Sequence, residues 1–114
     1  MKLDSAVFYT NDLDRIIEFY RDILKFKVDY IQEGRFASFD LGNAKLGIKQ
    51  AKEERETPGH QTVFIAVDDI QKVYEDIKSH NIEILKELVE ENWGTNFSIL
   101  DPDENKVQFV EKKN

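Results

Sequence analysis

The chain has 114 residues, 23 of them acidic against 16 basic, which leaves a formal net charge of −7, and it has no cysteine. That length suits one domain able to bury roughly two-thirds of its unfolded surface without staples, and the missing thiols exclude disulfides, thiolate metal centres, iron–sulfur clusters and cysteine nucleophiles. Eight Phe and four Tyr supply bulk that disordered acidic chains lack, so disorder is excluded as the main state.

Residues 5–9 (SAVFY) are a short β-prone run. Asn11-Asp12 then offers N-cap oxygens, and Leu13, Ile16, Ile17, Tyr20, Ile23 and Leu24 recur at helical spacing, which predicts an amphipathic helix. Strands are expected at 27–32, 36–41 and 45–50, parted by turns at Gly34 and Gly42-Asn43. Residues 51–59 (AKEERETPG) carry charge, Pro and Gly without an apolar period and read as a linker. The opening pattern then returns. Residues 62–67 (TVFIAV) form a second β-branched run, Asp68-Asp69 a second cap, and Ile70, Val73, Tyr74 and Ile77 a second helical stripe. Strands at 82–89, 94–100 and 106–111 complete the set, with polar turns at 90–92 and 101–105. Each half therefore reads β-α-β-β-β, an α+β class of fold. A lone unit of about 50 residues has little core, so a module at 1–50 and a module at 60–114 are expected to make up one domain spanning 1–114.

Several polar clusters invite a chemical reading. His60 falls two residues before Thr62 and would share its strand face only if that strand started early. His80, in Lys78-Ser79-His80-Asn81, sits where a cation favours the negative end of a helix and Asn81 suits a left-handed cap. Asp101-Pro102-Asp103-Glu104-Asn105 matches the start of a calcium loop, but Lys106 and Lys112 hold the positions that need Gly and a bidentate Glu. It reads as a hairpin turn. Glu53-Glu54-Arg55-Glu56 and Glu90-Glu91 read as solvated acids rather than an acid–base pair. No serine-nucleophile motif or glycine-rich phosphate loop occurs.

The order Asn11-Asp12-Leu13, Phe19-Tyr20, Ile23-Leu24-Lys25-Phe26, Val67-Asp68-Asp69, Trp93-Gly94 and Asp101-Pro102-Asp103 resembles the vicinal oxygen chelate superfamily of glyoxalases, extradiol dioxygenases and bleomycin-resistance proteins. Lys25 and Glu104 depart from it, standing where glycine is usual. The resemblance covers nearly the whole chain and implies tandem βαβββ modules whose curved mixed sheets enclose a cavity, with helices on the outer face. It also implies that metal enzymes of this type would take their ligands at Ser5, Gly47, Thr62 and Gln108. None of these is a His, Asp or Glu, so neither a metal nor another cofactor is expected, and no catalytic residue is assigned.

If those four positions point inward, strand alternation sends Val7, Tyr9, Lys49, Phe64, Ala66 and Val110 inward as well. It sends Ala6, Phe8, Leu46, Ile48, Val63, Ile65, Val107 and Phe109 toward the helices. The inward set mixes aromatics with polar groups, as a pocket for a partly polar small molecule does. Tyr9, Lys49, Thr62, Phe64, Gln108 and the rim residue Trp93 are the expected ligand-binding residues. Six of the seven net negative charges fall in Pro58–Asn114, which favours a cationic or planar guest.

The expectation is thus a metal-free small-molecule binding protein close in character to the bleomycin-resistance branch. A metal-dependent lyase or dioxygenase and a non-catalytic dimeric interaction or sensing module are the alternatives. With no gathered Lys/Arg face a nucleic acid partner is not expected. With no signal core and no apolar run of bilayer length, membrane association is not expected either, and a cytoplasmic location is. Exposed sheet edges, together with the resemblance, point to a homodimer.

Overall fold

A computed structural model describes residues 1–113. Its elements follow one order twice: β1 (Ser5–Thr10), α1 (Leu13–Glu18), β2 (Lys27–Gln32), β3 (Phe36–Asp40) and β4 (Lys45–Gln50), then β5 (Thr62–Ala66), α2 (Ile70–Lys78), β6 (Ile84–Glu91), β7 (Gly94–Leu100) and β8 (Lys106–Lys112). The chain divides into a first compact unit, Met1–Gly59, and a second that begins at His60. Each holds one four-stranded mixed sheet, in the order β1-β4-β3-β2 and β5-β8-β7-β6. β1 pairs parallel with β4 and β5 with β8, and the remaining pairs are antiparallel. Among the described residues no helix is long and apolar enough to cross a membrane.

In both units a carboxylate and the far end of the last strand clamp the helix start. The Asp12 side chain accepts from Arg15 N at 3.3 Å and that of Asp69 from Lys72 N at 3.2 Å, as N-caps do. Gln50 Oε1 then accepts from Leu13 N, and Glu111 Oε1 from Ile70 N, both at 3.1 Å. Two otherwise orphaned N–H groups per helix are satisfied this way, and each helix is pinned to the strand that ends its own module.

The expected first helix, 13–24, is an α-helix only to Glu18 and continues as a π-helical turn over Phe19–Ile23. Leu24 N reaches back five residues to Phe19 O at 3.0 Å. Phe19 and Tyr20, which open this turn, are both buried, as Leu13, Ile16 and Ile17 are in the α-helical part. The wider turn lets Tyr20 meet Phe19, Phe26 and Phe39 at ring separations of 5.2, 5.5 and 5.9 Å. In the second unit Phe97 stacks on Phe109 at 5.0 Å and takes the Tyr74 ring edge-on at 5.0 Å.

The alternation holds in the strands beside the helices and weakens at the sheet edges. Phe8, Leu46, Ile48, Val107 and Phe109 are buried. Val63 and Ile65 are only half-buried and Ala6 is exposed, because β1 and β5 are edge strands of their sheets. β6 runs from Ile84 to Glu91 rather than 82–89. Its pairing with β7 is interrupted between Ile84 and Lys86 and again between Lys86 and Val89, which hides the alternation, and Glu90-Glu91 belong to the strand. His60 lies off the strand in a left-handed conformation (φ 63°), so the early strand start that a shifted ligand required is absent. The second helix is capped at Ser79, and Asn81 is not left-handed. The 101–105 segment is a self-satisfied turn: Asp101 carboxylate oxygens accept from Asp103 N, Asn105 N and Asn105 Nδ2 at 2.9–3.0 Å.

Lys25 and Glu104 both adopt the left-handed region, at φ 59° and 66°. For a side-chain-bearing residue this costs roughly 1–2 kcal/mol, against roughly 0.5–1 kcal/mol for the extra entropy glycine loses on folding. Glu104→Gly is therefore expected to stabilise the protein by about 0.5–1 kcal/mol, read as a raised urea midpoint with unchanged slope.

Candidate functional site

One helix packs on one face of each sheet, and the candidate positions lie on the open face, the one that carries no helix, where Gly47, Ser38, Gln108, Asn96 and Ser98 are buried all the same. In the first unit that face carries the row Val7, Gly47, Ser38, Tyr30 and, beside it, Tyr9, Lys49, Phe36. Its centre is aromatic. The Tyr30 and Phe36 rings stack at 6.0 Å and 24°, and the tip of Phe36 lies over Gly47, where an added Cβ would come 2.5 Å from Phe36 Cζ. The approach is close: a side chain starting at this position would have to displace the ring that now fills the place.

Around this centre the charges are paired. Lys49 Nζ bonds both Glu56 carboxylate oxygens at 2.6 and 2.7 Å, and Glu56 Oε1 also accepts from Lys52 N at 2.9 Å and Glu53 N at 3.1 Å. Glu56 is buried, so one member of the 53–56 acidic run is not solvated as expected. The Lys49 ammonium, followed by the Lys52 and Glu53 N–H groups, holds its carboxyl down at about 2. Lys45 Nζ lies 3.1 Å from Asp29, and this contact, with help from Ser38, keeps Asp29 below the usual carboxylate range.

In the second unit the open face carries the row Phe64, Gln108, Ser98, Lys86 and, beside it, Ala66, Val110, Asn96, Val89. Phe64 is 59% exposed, while Gln108, Asn96 and Ser98 are buried. Gln108 Nε2 donates to Asn96 Oδ1 at 3.1 Å, and Asn96 Nδ2 donates to Glu91 Oε2 at 2.7 Å. Lys86 Nζ reaches the same Glu91 oxygen at 3.3 Å. The Asn96 bond and then Lys86 lower the Glu91 pKa.

The sequence-expected residues thus fall into two groups. Tyr9 and Lys49 are strand partners in the first unit. Phe64 and Gln108 are strand partners in the second, with Thr62 exposed two residues along β5 and Trp93 exposed in the β6–β7 turn. Phe36, Tyr30, Asn96, Ser98, Glu91 and Glu56 were not anticipated. Extending the alternation across β3 and β7 would have found Phe36, Ser38, Asn96 and Ser98, whereas no local pattern marks Glu56.

A metal centre of the kind the fold hosts does not fit these donors. Two hydroxyls, an amide already engaged with Asn96 and a glycine under a phenyl ring stand at the four positions, where a divalent ion needs imidazole or carboxylate. Among the described residues no group of three or more His, Asp or Glu is placed to hold a metal ion.

Residues 2–109 match the family model described as Glyoxalase/Bleomycin resistance protein/Dioxygenase superfamily. The chain belongs to that superfamily. No curated protein matches it in sequence. Among solved structures it is similar to TnmS3, described as an antibiotic binding protein from a Streptomyces species (TM-score 0.89, 15% identity, 99% of this chain and 97% of that one). It is also similar to TioX from a Micromonospora species (0.84, 15%, 99% and 100%) and to a lactoylglutathione lyase from Agrobacterium tumefaciens (0.79, 19%, 96% and 92%). At such identities the likeness establishes the fold, which both metal enzymes and binding proteins of the superfamily share.

Two outcomes follow. Gly47→Ala is expected to destabilise by about 1–3 kcal/mol through overpacking against Phe36, and Phe36→Ala is expected to remove most of that penalty in a double-mutant cycle. For Glu56, a folded-state pKa below the ordinary 4.5 means that its contribution is whole above that pH and is lost as pH falls toward about 2. Glu56→Gln should lower the melting temperature at neutral pH, and its gap from the wild type should close across that acid window.

Proposed function

We propose that this chain is a small-molecule binding protein of the sequestration or resistance type that works without a bound metal. The observation that carries the reading is Phe36 over Gly47: a ligand position of the metal enzymes has become part of an aromatic platform. Three further features support it. Phe64 presents an exposed ring beside a polar amide, Trp93 presents another in a turn, and the second half of the chain holds most of the negative charge, which attracts cationic guests. TnmS3 offers a precedent, since its description as an antibiotic binding protein shows that this fold serves binding. A planar or cationic compound is the guest we infer, and the residues we infer for binding are Tyr9 and Lys49 in the first unit and Thr62, Phe64, Trp93 and Gln108 in the second.

The working form we infer is a cytoplasmic homodimer. Tyr30, Ile31, Leu85 and Trp93 are large apolar side chains left exposed, and both sheets end in open edges, features that a second copy would cover. Light scattering is expected to give twice 13.4 kDa at micromolar concentration; a monomer mass would remove this part of the reading.

Melting-shift screening against planar and cationic compounds tests the binding itself. A shift is expected in the wild type and is expected to weaken in Phe64→Ala and Trp93→Ala, whose own stability should fall far less than that of Phe109→Ala. A buried Phe truncated to Ala loses about 3–5 kcal/mol. Equal destabilisation of all three with no shift in the wild type would favour an interaction module, and one tightly held metal per chain by elemental analysis would favour the lyase or dioxygenase alternative.

A further inference from the structure

Resting on the small-molecule reading above, we propose that the chain Glu91–Asn96–Gln108 sets the hydrogen-bonding polarity of the second sheet's open face, so that the guest it takes presents an N–H donor to Gln108 Oε1. The argument starts from a group with no choice. A carboxylate only accepts, whereas a carboxamide can turn over to offer either its oxygen or its nitrogen. Glu91 Oε2 therefore draws the Asn96 NH2 toward it, at 2.7 Å, and the same nitrogen faces Gly94 O at 3.4 Å. This leaves Asn96 Oδ1 turned to β8, where only a donor suits it. Gln108 supplies that donor through Nε2 at 3.1 Å, and its own oxygen is left over.

Turning either amide over would set oxygen against oxygen. Asn96 is wholly buried and Gln108 is 5% exposed, so such a repulsion would be poorly screened. Among the described residues no donor is recorded on Gln108 Oε1. A second unmet group lies next to it: Ser98, directly across from Gln108 on β7, is wholly buried and its hydroxyl has no partner. Phe64 stands directly across from Gln108 on β5 with its ring exposed, which supplies a flat surface for the body of the guest. The first sheet has no equivalent, because Gly47 and Phe36 occupy the places in the repeat that Gln108 and Asn96 occupy here.

Indole and benzofuran test this directly. They are planar, uncharged and nearly the same shape, differing in an N–H or an ether oxygen, so the net charge of the protein does not bias the comparison. Titrations of the ¹⁵N-labelled chain are followed at the Gln108 and Asn96 side-chain amides. Indole is expected to bind about fivefold to tenfold more tightly than benzofuran, moving the Gln108 amide signals. In Glu91→Gln, whose amide no longer dictates a direction, the ratio is expected to fall to about one to two. Should Glu91→Gln not fold by circular dichroism, Gln108→Met replaces it, with the same expected loss of preference. Equal binding of the two probes by the wild type, or a ratio unchanged in the variant, overturns the polarity assignment and leaves the small-molecule reading standing. Absence of any shift with either probe overturns it as well, and the melting-shift panel then decides separately whether the broader reading falls with it.

Discussion

Everything distinctive in this protein follows from the provision of one helix per four-stranded sheet. Four strands about 4.8 Å apart make a sheet wider than one helix, and each βαβββ module has only one helix to lay down. α1 with its π-helical continuation and α2 each cover one face. The clamps from Gln50 and Glu111 decide which face, since they tie the helix start to the end of the parallel-paired strand. What remains in each unit is a sheet face that carries no helix, and the two are dressed differently on the same frame: Gly47 and Ser38 are buried in the first, Gln108, Asn96 and Ser98 in the second.

The first face has been closed to coordination chemistry by packing and by pairing. Gly47 has no side chain, Phe36 uses the space, and Lys49 is neutralised by a buried carboxylate from the linker. The second face keeps polar function but in a directed form. Its amides are buried and mutually fixed, and a phenyl ring is exposed beside them. The first unit thus presents an aromatic pair and the second a fixed pair of amides beside a ring.

Much of this was legible in the sequence because the repeat imposes it twice. The strands at 27–32, 45–50 and 94–100 lie where β-branched runs and glycine turns place them, and Asp12 and Asp69 cap the helices as their spacing suggests. The failures have physical causes. Leu13, Ile16, Ile17, Tyr20, Ile23 and Leu24 satisfy a period of 3.6 throughout, so the π-turn at Phe19–Ile23 leaves no mark in the pattern. The interruptions in β6 displace its alternation and conceal Glu91, the residue that orients the second face. Glu56 sits in a run of like charges, and only the fold brings Lys49 and two backbone N–H groups to it.

The same packing explains why a metal site is more than one substitution away. Placing a carboxylate at position 47 would bring its Cβ against the tip of Phe36, whose ring in turn leans on Tyr30, so a ligand gained there would have to displace that ring. At position 108 a glutamate would fit in length but would face Asn96 Oδ1, which the Glu91 carboxylate holds in place, and two oxygens would then be buried against each other. The neighbours have committed to the residues now present. On both faces it is these supporting residues, Phe36 and Asn96, that stand against a carboxylate at positions 47 and 108.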